Sequence, residues 1–187
     1  MNVIEKSTQV LREEHQLIES AIEAIAGIIK ELERGTALNH HQVWEIAQSF
    51  ATFVGRSHQA KEDFLLAMIR ARKGCSADYP IRSFHEEHHR VELLLASLTK
   101  TAYKYLEAVD GRSEPLVASL RDVVDFYPGH MWKVDHILFP LADELLSETD
   151  QGVLVEHFAW IDSVVGSDVD EQLRANVAEC HPKPRVA

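Results

Sequence analysis

Cysteine is nearly missing from this chain. Cys75 and Cys180 are the only two among 187 residues, with no CxxC spacing, which excludes a disulfide scaffold and thiolate sites of the zinc or thioredoxin type. Glycine and proline are also scarce, at 8 and 6, too few for an all-β chain with many tight turns. Positive charge is short as well: 19 Lys and Arg stand against 30 Asp and Glu, a net charge of -11, so the surface field repels phosphate backbones and anionic lipid heads. Nucleic-acid and membrane-surface partners are not expected. No apolar run approaches the roughly 18 residues of a membrane span, and the first residues, MNVIEKSTQVLREEHQ, lack a basic region followed by an apolar core. A cytoplasmic protein is expected. What the chain does have is histidine, 11 in all, so its chemistry is expected to rest on imidazole.

Four long segments carry helical periodicity. Residues 7-34 open at Ser7 or Thr8 as N-cap and place Leu11, Ile18, Ile22, Ile25, Ile29 and Leu32 on one face up to Gly35. Residues 40-73 start from Asn39 and run through Trp44, Ala47, Phe50, Val54, Leu65 and Met68 to Gly74. Residues 80-108 carry Phe84, Val91, Leu95 and Leu98 and end near Asp110-Gly111; residues 114-147 carry Leu120, Val123, Phe126, Ile137, Leu141 and Leu145. Pro128 and Pro140 interrupt the last segment, and a kink or helix restart is expected at Pro128. The reading is an all-α, antiparallel up-down four-helix bundle over residues 1-150, followed by a short C-terminal helical extension and frayed tail over 151-187. The extension holds an amphipathic segment at 151-166, with Val153, Leu154, Phe158, Ile161, Val164 and Val165, and a further helical stretch at about 168-180.

An internal repeat carries the histidines. EEHQLIESAI (Glu13 to Ile22) aligns with EEHHRVELLL (Glu86 to Leu95), superposing His15 on His88. HQAKEDFLL (His58 to Leu66) aligns with HMWKVDHIL (His130 to Leu138), superposing His58 on His130, Lys61 on Lys133 and Asp63 on Asp135. At about 100° per residue, His15 and His88 each lie roughly 60° from the apolar centre of their helix, and His58 lies within about 20° of its own. Four imidazoles from four helices therefore point into one core. Burying them without partners would be costly, and a metal resolves the cost. Glu62, four residues after His58, presents a carboxylate on the same helical face. Imidazole and carboxylate without thiolate suit iron, manganese or zinc, and two ions sharing bridging carboxylates need about this many ligands. His40 and His41 read as capping or solvated residues, Lys61 and Lys133 as packing stems, and Tyr127 and Trp132 as core aromatics. His136, His157 and His181 carry no pattern.

These residues resemble the hemerythrin-like, HHE cation-binding family over about residues 5-165. The family's ordered signature is matched by His15, by His58 with Glu62, by the HEEHH cluster (His85, His88, His89), and by His130 with Asp135. Where bacterial members carry HxxKE, this chain has Val134 at the glutamate position, and Asp135 matches the HxxxxD form of the oxygen-carrying members. Ideal helix geometry turns Asp135 about 140° from His130. Of the third-helix histidines, the repeat and the apolar stripe rank His88 first; the four-residue spacing of His85 and His89 ranks His85 second.

The resemblance implies metal ligands His15, His58, Glu62, His85, His88, His130 and Asp135 around two iron ions, a non-heme di-iron centre that manganese or zinc also suits. It implies binding of dioxygen or another small diatomic ligand, for sensing, carriage or storage, which leans away from an enzyme and leaves that question open. The alternative is a di-iron redox enzyme acting on peroxide or nitric oxide, or an iron-centre repair protein. The sequence leaves the oligomeric state open.

Overall fold

The computed structural model describes residues 6-73, 78-107 and 112-180. The helix stops expected at Gly74 and at Asp110-Gly111, Cys75, and the tail from His181 lie outside them. Among the described residues there is no strand, and no helix is long and apolar enough to cross a membrane. Helix α1 spans Ser7–Glu33, and α2, His40–Thr52, passes through a π-helical turn, Phe53–His58, into α3, Gln59–Lys73. Helix α4 spans Asp78–Glu107. Helix α5, Glu114–Lys133, passes through a second π-helical turn, Val134–Leu138, into α6, Phe139–Leu145. Helices α7, Glu148–Val165, and α8, Val169–Cys180, follow.

The four long rods seen in the sequence are therefore present, two of them broken by π turns. Asn39 caps α2 as its position predicts, its side chain accepting from the backbone of His41 at 2.9 Å. Gly35, at φ +72°, ends α1 in a backbone region that glycine enters without steric cost. The start of α1 differs from the expectation. Lys6 occupies the N-cap without a side-chain cap bond, while the Ser7 N–H and hydroxyl both donate to Gln151 Oε1 on α7, at 2.9 and 2.7 Å. A side chain 144 residues away satisfies the orphan donor of the first turn. Pro128 neither ends nor restarts its helix, since α5 runs through it to Lys133. The irregularity falls at the following π turn. Pro140 sits in the first turn of α6, directly after the π turn.

Helices α1, α2, α4 and α5 pack together, α3 packs on α4, α6 and α7, and α8 lies across α1 and α2. Leu154, Phe158 and Ile161 of α7 are buried, as are Val169, Leu173 and Val177 of α8; Val153 and Val164 face outward. The interior is two apolar clusters rather than one. The larger gathers Ile18, Ile25, Phe50, Val54, Val91, Leu98, Tyr127 and Met131; the smaller gathers Leu11, Leu65, Phe84, Val134, Leu138 and Phe139. Each rod crosses from one cluster to the other at a histidine: His15 lies between Leu11 and Ile18, His58 between Val54 and Leu65, His88 between Phe84 and Val91, and His130 between Met131's neighbour Tyr127 and Val134. A polar layer thus separates two halves of the core.

Candidate metal centre

The Glu62 carboxylate stands in the middle of that layer, 1 % exposed. Its Oε1 faces His58 Nε2 at 3.4 Å and His15 Nε2 at 3.6 Å, while its Oε2 faces His88 Nε2 at 3.0 Å and His130 Nε2 at 3.5 Å. One carboxylate therefore touches two pairs of imidazoles, one pair with each oxygen. All four rings are buried. Glu62 reaches this place because it follows His58 by one turn at the start of α3, on the face that carries Leu65, Leu66 and Ile69 inward.

Behind every imidazole is a second carboxylate. His58 Nδ1–H donates to Glu14 at 2.7 Å, His130 Nδ1–H to Glu87 at 2.9 Å, His88 Nδ1–H to Asp63 at 2.7 Å and His15 Nδ1–H to Asp135 at 3.2 Å. Each of these carboxylates has its own cationic or imidazole neighbour. Lys61 pairs with Glu14 and Lys133 with Glu87, Arg12 lies 3.2 Å from Asp135, and His85 lies 3.6 Å from Asp63. The pattern obeys the sequence repeat residue by residue: Glu14 corresponds to Glu87, His15 to His88, His58 to His130, Lys61 to Lys133, Asp63 to Asp135 and Arg12 to His85. Phe53 stacks on His58 and Phe126 on His130, at ring separations of 6.4 and 5.6 Å. The first π turn supplies the extra residue that lets Phe53 and His58 keep this contact across five positions rather than four.

The repeat is broken at its centre, where Glu62 corresponds to Val134. Val134 is fully buried and belongs to the smaller apolar cluster, so among the described residues the layer holds a single inward carboxylate.

Donation of each Nδ1–H outward fixes the tautomer that leaves Nε2 as the atom presented to Glu62. Burial alone would push the Glu62 carboxyl up, but the imidazoles facing it, His58 foremost, hold it well below the usual range. Burial likewise pulls the rings down, and their carboxylate partners overturn it. The Glu62 charge and Glu14 raise His58 to about 9, and Asp63 and Glu62 raise His88 to about 10. His15 and His130 move upward for the same reasons.

Three atoms of the layer are buried without any hydrogen-bond partner: His15 Nε2, His58 Nε2 and Glu62 Oε1. Buried polar atoms that converge on one point without hydrogen-bond partners fit a shared cation better than a packed apolar core. Two donors each about 2 Å from a common ion lie roughly 3–4 Å apart, and His15, His58 and Glu62 form one such group while Glu62, His88 and His130 form another, the donor atoms of each within 4.8 Å of one another. The residues fit a pair of ions sharing Glu62.

Of the seven residues expected from the sequence, the structure thus gathers His15, His58, Glu62, His88 and His130 at one centre. Asp135 meets the far nitrogen of His15. His85 is half exposed and meets Asp63, and with Asp63 and His88 it forms a third, more superficial group of metal-ligating type. His89 faces solvent beside Glu92. Lys61, read as a packing stem, is buried and ion-paired with both Glu14 and Asp162. Trp132, read as a core aromatic, is 57% exposed and stacks on His136. The sequence reading missed Glu14, Glu87, Asp63 and Arg12 as parts of the site. The signal was present in the repeat itself, which carries EEH twice and aligns Asp63 with Asp135.

A helical protein with a buried layer of imidazoles around a carboxylate is a metal-binding bundle. Its sequence matches the hemerythrin HHE cation-binding domain over residues 6–142, and the chain belongs to that family. No curated protein and no solved structure matches it.

Proposed function

We propose that the chain is a non-heme di-iron protein that binds dioxygen or a related small ligand, for sensing, carriage or storage. The observation that carries this reading is the Glu62 carboxylate set between two imidazole pairs, with three buried polar atoms that have no hydrogen-bond partner facing each other. His15 and His58 would hold one ion, His88 and His130 the other, and Glu62 would bridge them. In this reading Asp135 orients His15, and His85 supports Asp63, rather than ligating beside Glu62. The four rods are taken as an up-and-down bundle over residues 1-150, with the remaining helices as an extension.

An iron pair, when bound, supplies redox-active Lewis-acid sites with positions left open by so few protein donors. The residues of the chain do the rest. Glu14, Asp63, Glu87 and Asp135 lock the ring orientations and raise the basicity of the imidazoles. Val134 and Phe139 wall the centre with apolar surface, which limits water entry.

Metal analysis of tag-free protein reconstituted anaerobically with ferrous iron tests the reading. The expected result is about two iron per chain, with visible charge-transfer absorption that appears and disappears with dioxygen. His58→Ala and Glu62→Ala should each abolish loading. Steady consumption of peroxide would favour an enzyme instead, and a folded wild-type chain that takes up no iron would overturn the proposal.

A further inference from the structure

Apart from the atoms of the layer itself, one buried hydroxyl in its vicinity has no partner. Tyr127 is 1 % exposed, and its Oη makes no hydrogen bond. The ring lies edge-on to Phe50 and Phe126, and edge-on to His130 with centroids 6.2 Å apart. It sits three residues before His130, one turn along the inward face of α5. Burial first, and then the Glu62 charge, raise the phenol well above its usual value.

The repeat shows that packing does not require this hydroxyl. Aligning the Phe53 and Phe126 stacks on their histidines places Val54 opposite Tyr127, and Val54 is equally buried. The tyrosine and the missing second carboxylate are thus two departures from the repeat at the centre. The donor inventory sharpens the point. The four histidine N–H groups at Nδ1 are all directed outward to carboxylates, and with the Nε2 atoms engaged by metal none of these rings offers a proton to the interior. Tyr127 Oη can.

We infer that Tyr127 is the hydrogen-bond donor to the small ligand held beside Glu62, and that it selects ligands with an electron-rich accepting end over apolar diatomics of the same size. This rests on the metal-binding reading above. A hydrogen bond formed by a buried donor is worth more than one in water, because no solvent competes for it.

The test uses the full-length, iron-reconstituted protein with sodium azide as probe, comparing wild type with Tyr127→Phe. Metal content, azide affinity by spectral titration, and the azide stretching frequency in H2O and D2O are measured together. Tyr127→Phe should hold as much iron as wild type, bind azide on the order of tenfold more weakly, and lose the D2O-sensitive shift of the stretch that wild type shows. Unchanged affinity in Tyr127→Phe, or a wild-type azide stretch insensitive to D2O, would overturn the role of Tyr127 while leaving the metal centre standing. A wild type without iron removes both readings, and is recognised by metal content alone. Where the variant fails to fold, a wild-type stretch insensitive to D2O still overturns the role of Tyr127.

Discussion

At the scale of single residues, Glu62 and Val134 divide the work of one repeated position. A second glutamate at Val134 would put a second charge into a layer whose four rings each already face Glu62 and an outer carboxylate, and two carboxylates side by side disfavour joint ionisation. Valine avoids this and joins the apolar cluster with Leu138 and Phe139. The cost is that every ring depends on Glu62. Glu62→Gln preserves shape and removes charge, so in metal-free protein the His58 ring should fall from about 9 to near or below its ordinary value, as burial is no longer opposed from that side. Titration of the histidine resonances by NMR checks this. A His58 ring that still titrates near 9 in the variant would show that Glu14 alone holds it up.

At the scale of elements, the sequence disclosed more of the rods than of their joints. Periodicity placed all four long helices and Asn39 as a cap because these depend on neighbours within a turn. It did not disclose the two π turns, since one extra residue in six shifts the apolar pattern by less than the width of the stripe. Nor did it disclose Gln151 at the start of α1, a contact set by how α7 folds back. The inner site was legible for a related reason. His15, His58, Glu62, His88 and His130 lie on apolar faces and recur in register, whereas the roles of Asp135 and His85 depend on neighbouring rods. The docking of α7 illustrates such cross-element dependence. Ser147 and Asp150 form a reciprocal cap at its N-terminus, and Asp150 also binds Arg72 of α3. The Arg72 and Ser147 hydrogen bonds lower the Asp150 carboxyl to about 2. Its stabilising contribution is therefore complete above the ordinary value of 3.8 and lost as pH falls through about 2. Asp150→Ala should lower the melting temperature by roughly 2–4 °C at neutral pH, with the deficit vanishing near pH 2, while iron content stays unchanged. Calorimetry across pH checks it, and a deficit that persists at acid pH would show that the side chain acts by packing instead.

At the scale of the whole molecule, the bundle holds a stack of opposite charges across its waist, and metal and protons compete for it. In the metal-free chain the raised His58 and His88 stabilise the fold only while protonated. Their folded values, about 9 and about 10, lie above the unfolded value of 6.5. Their contribution is thus fully present below about pH 6.5 and is lost as pH rises through 9 to 10. Metal binding has the opposite sign, because each ion displaces the Nε2 protons and is favoured as they leave. The metal-free melting temperature should therefore decline from pH 6.5 toward 9, whereas the increment added by saturating zinc, a redox-silent probe, should grow across the same window. Proton release on zinc addition, followed with a pH indicator in weak buffer, should be largest near neutral pH, where the rings of the metal-free protein are still charged, and should shrink above pH 10. A zinc increment independent of pH, with no protons released, would mean that the ion binds outside the imidazole layer, and the superficial group of Asp63 and His85 would then be the place to look.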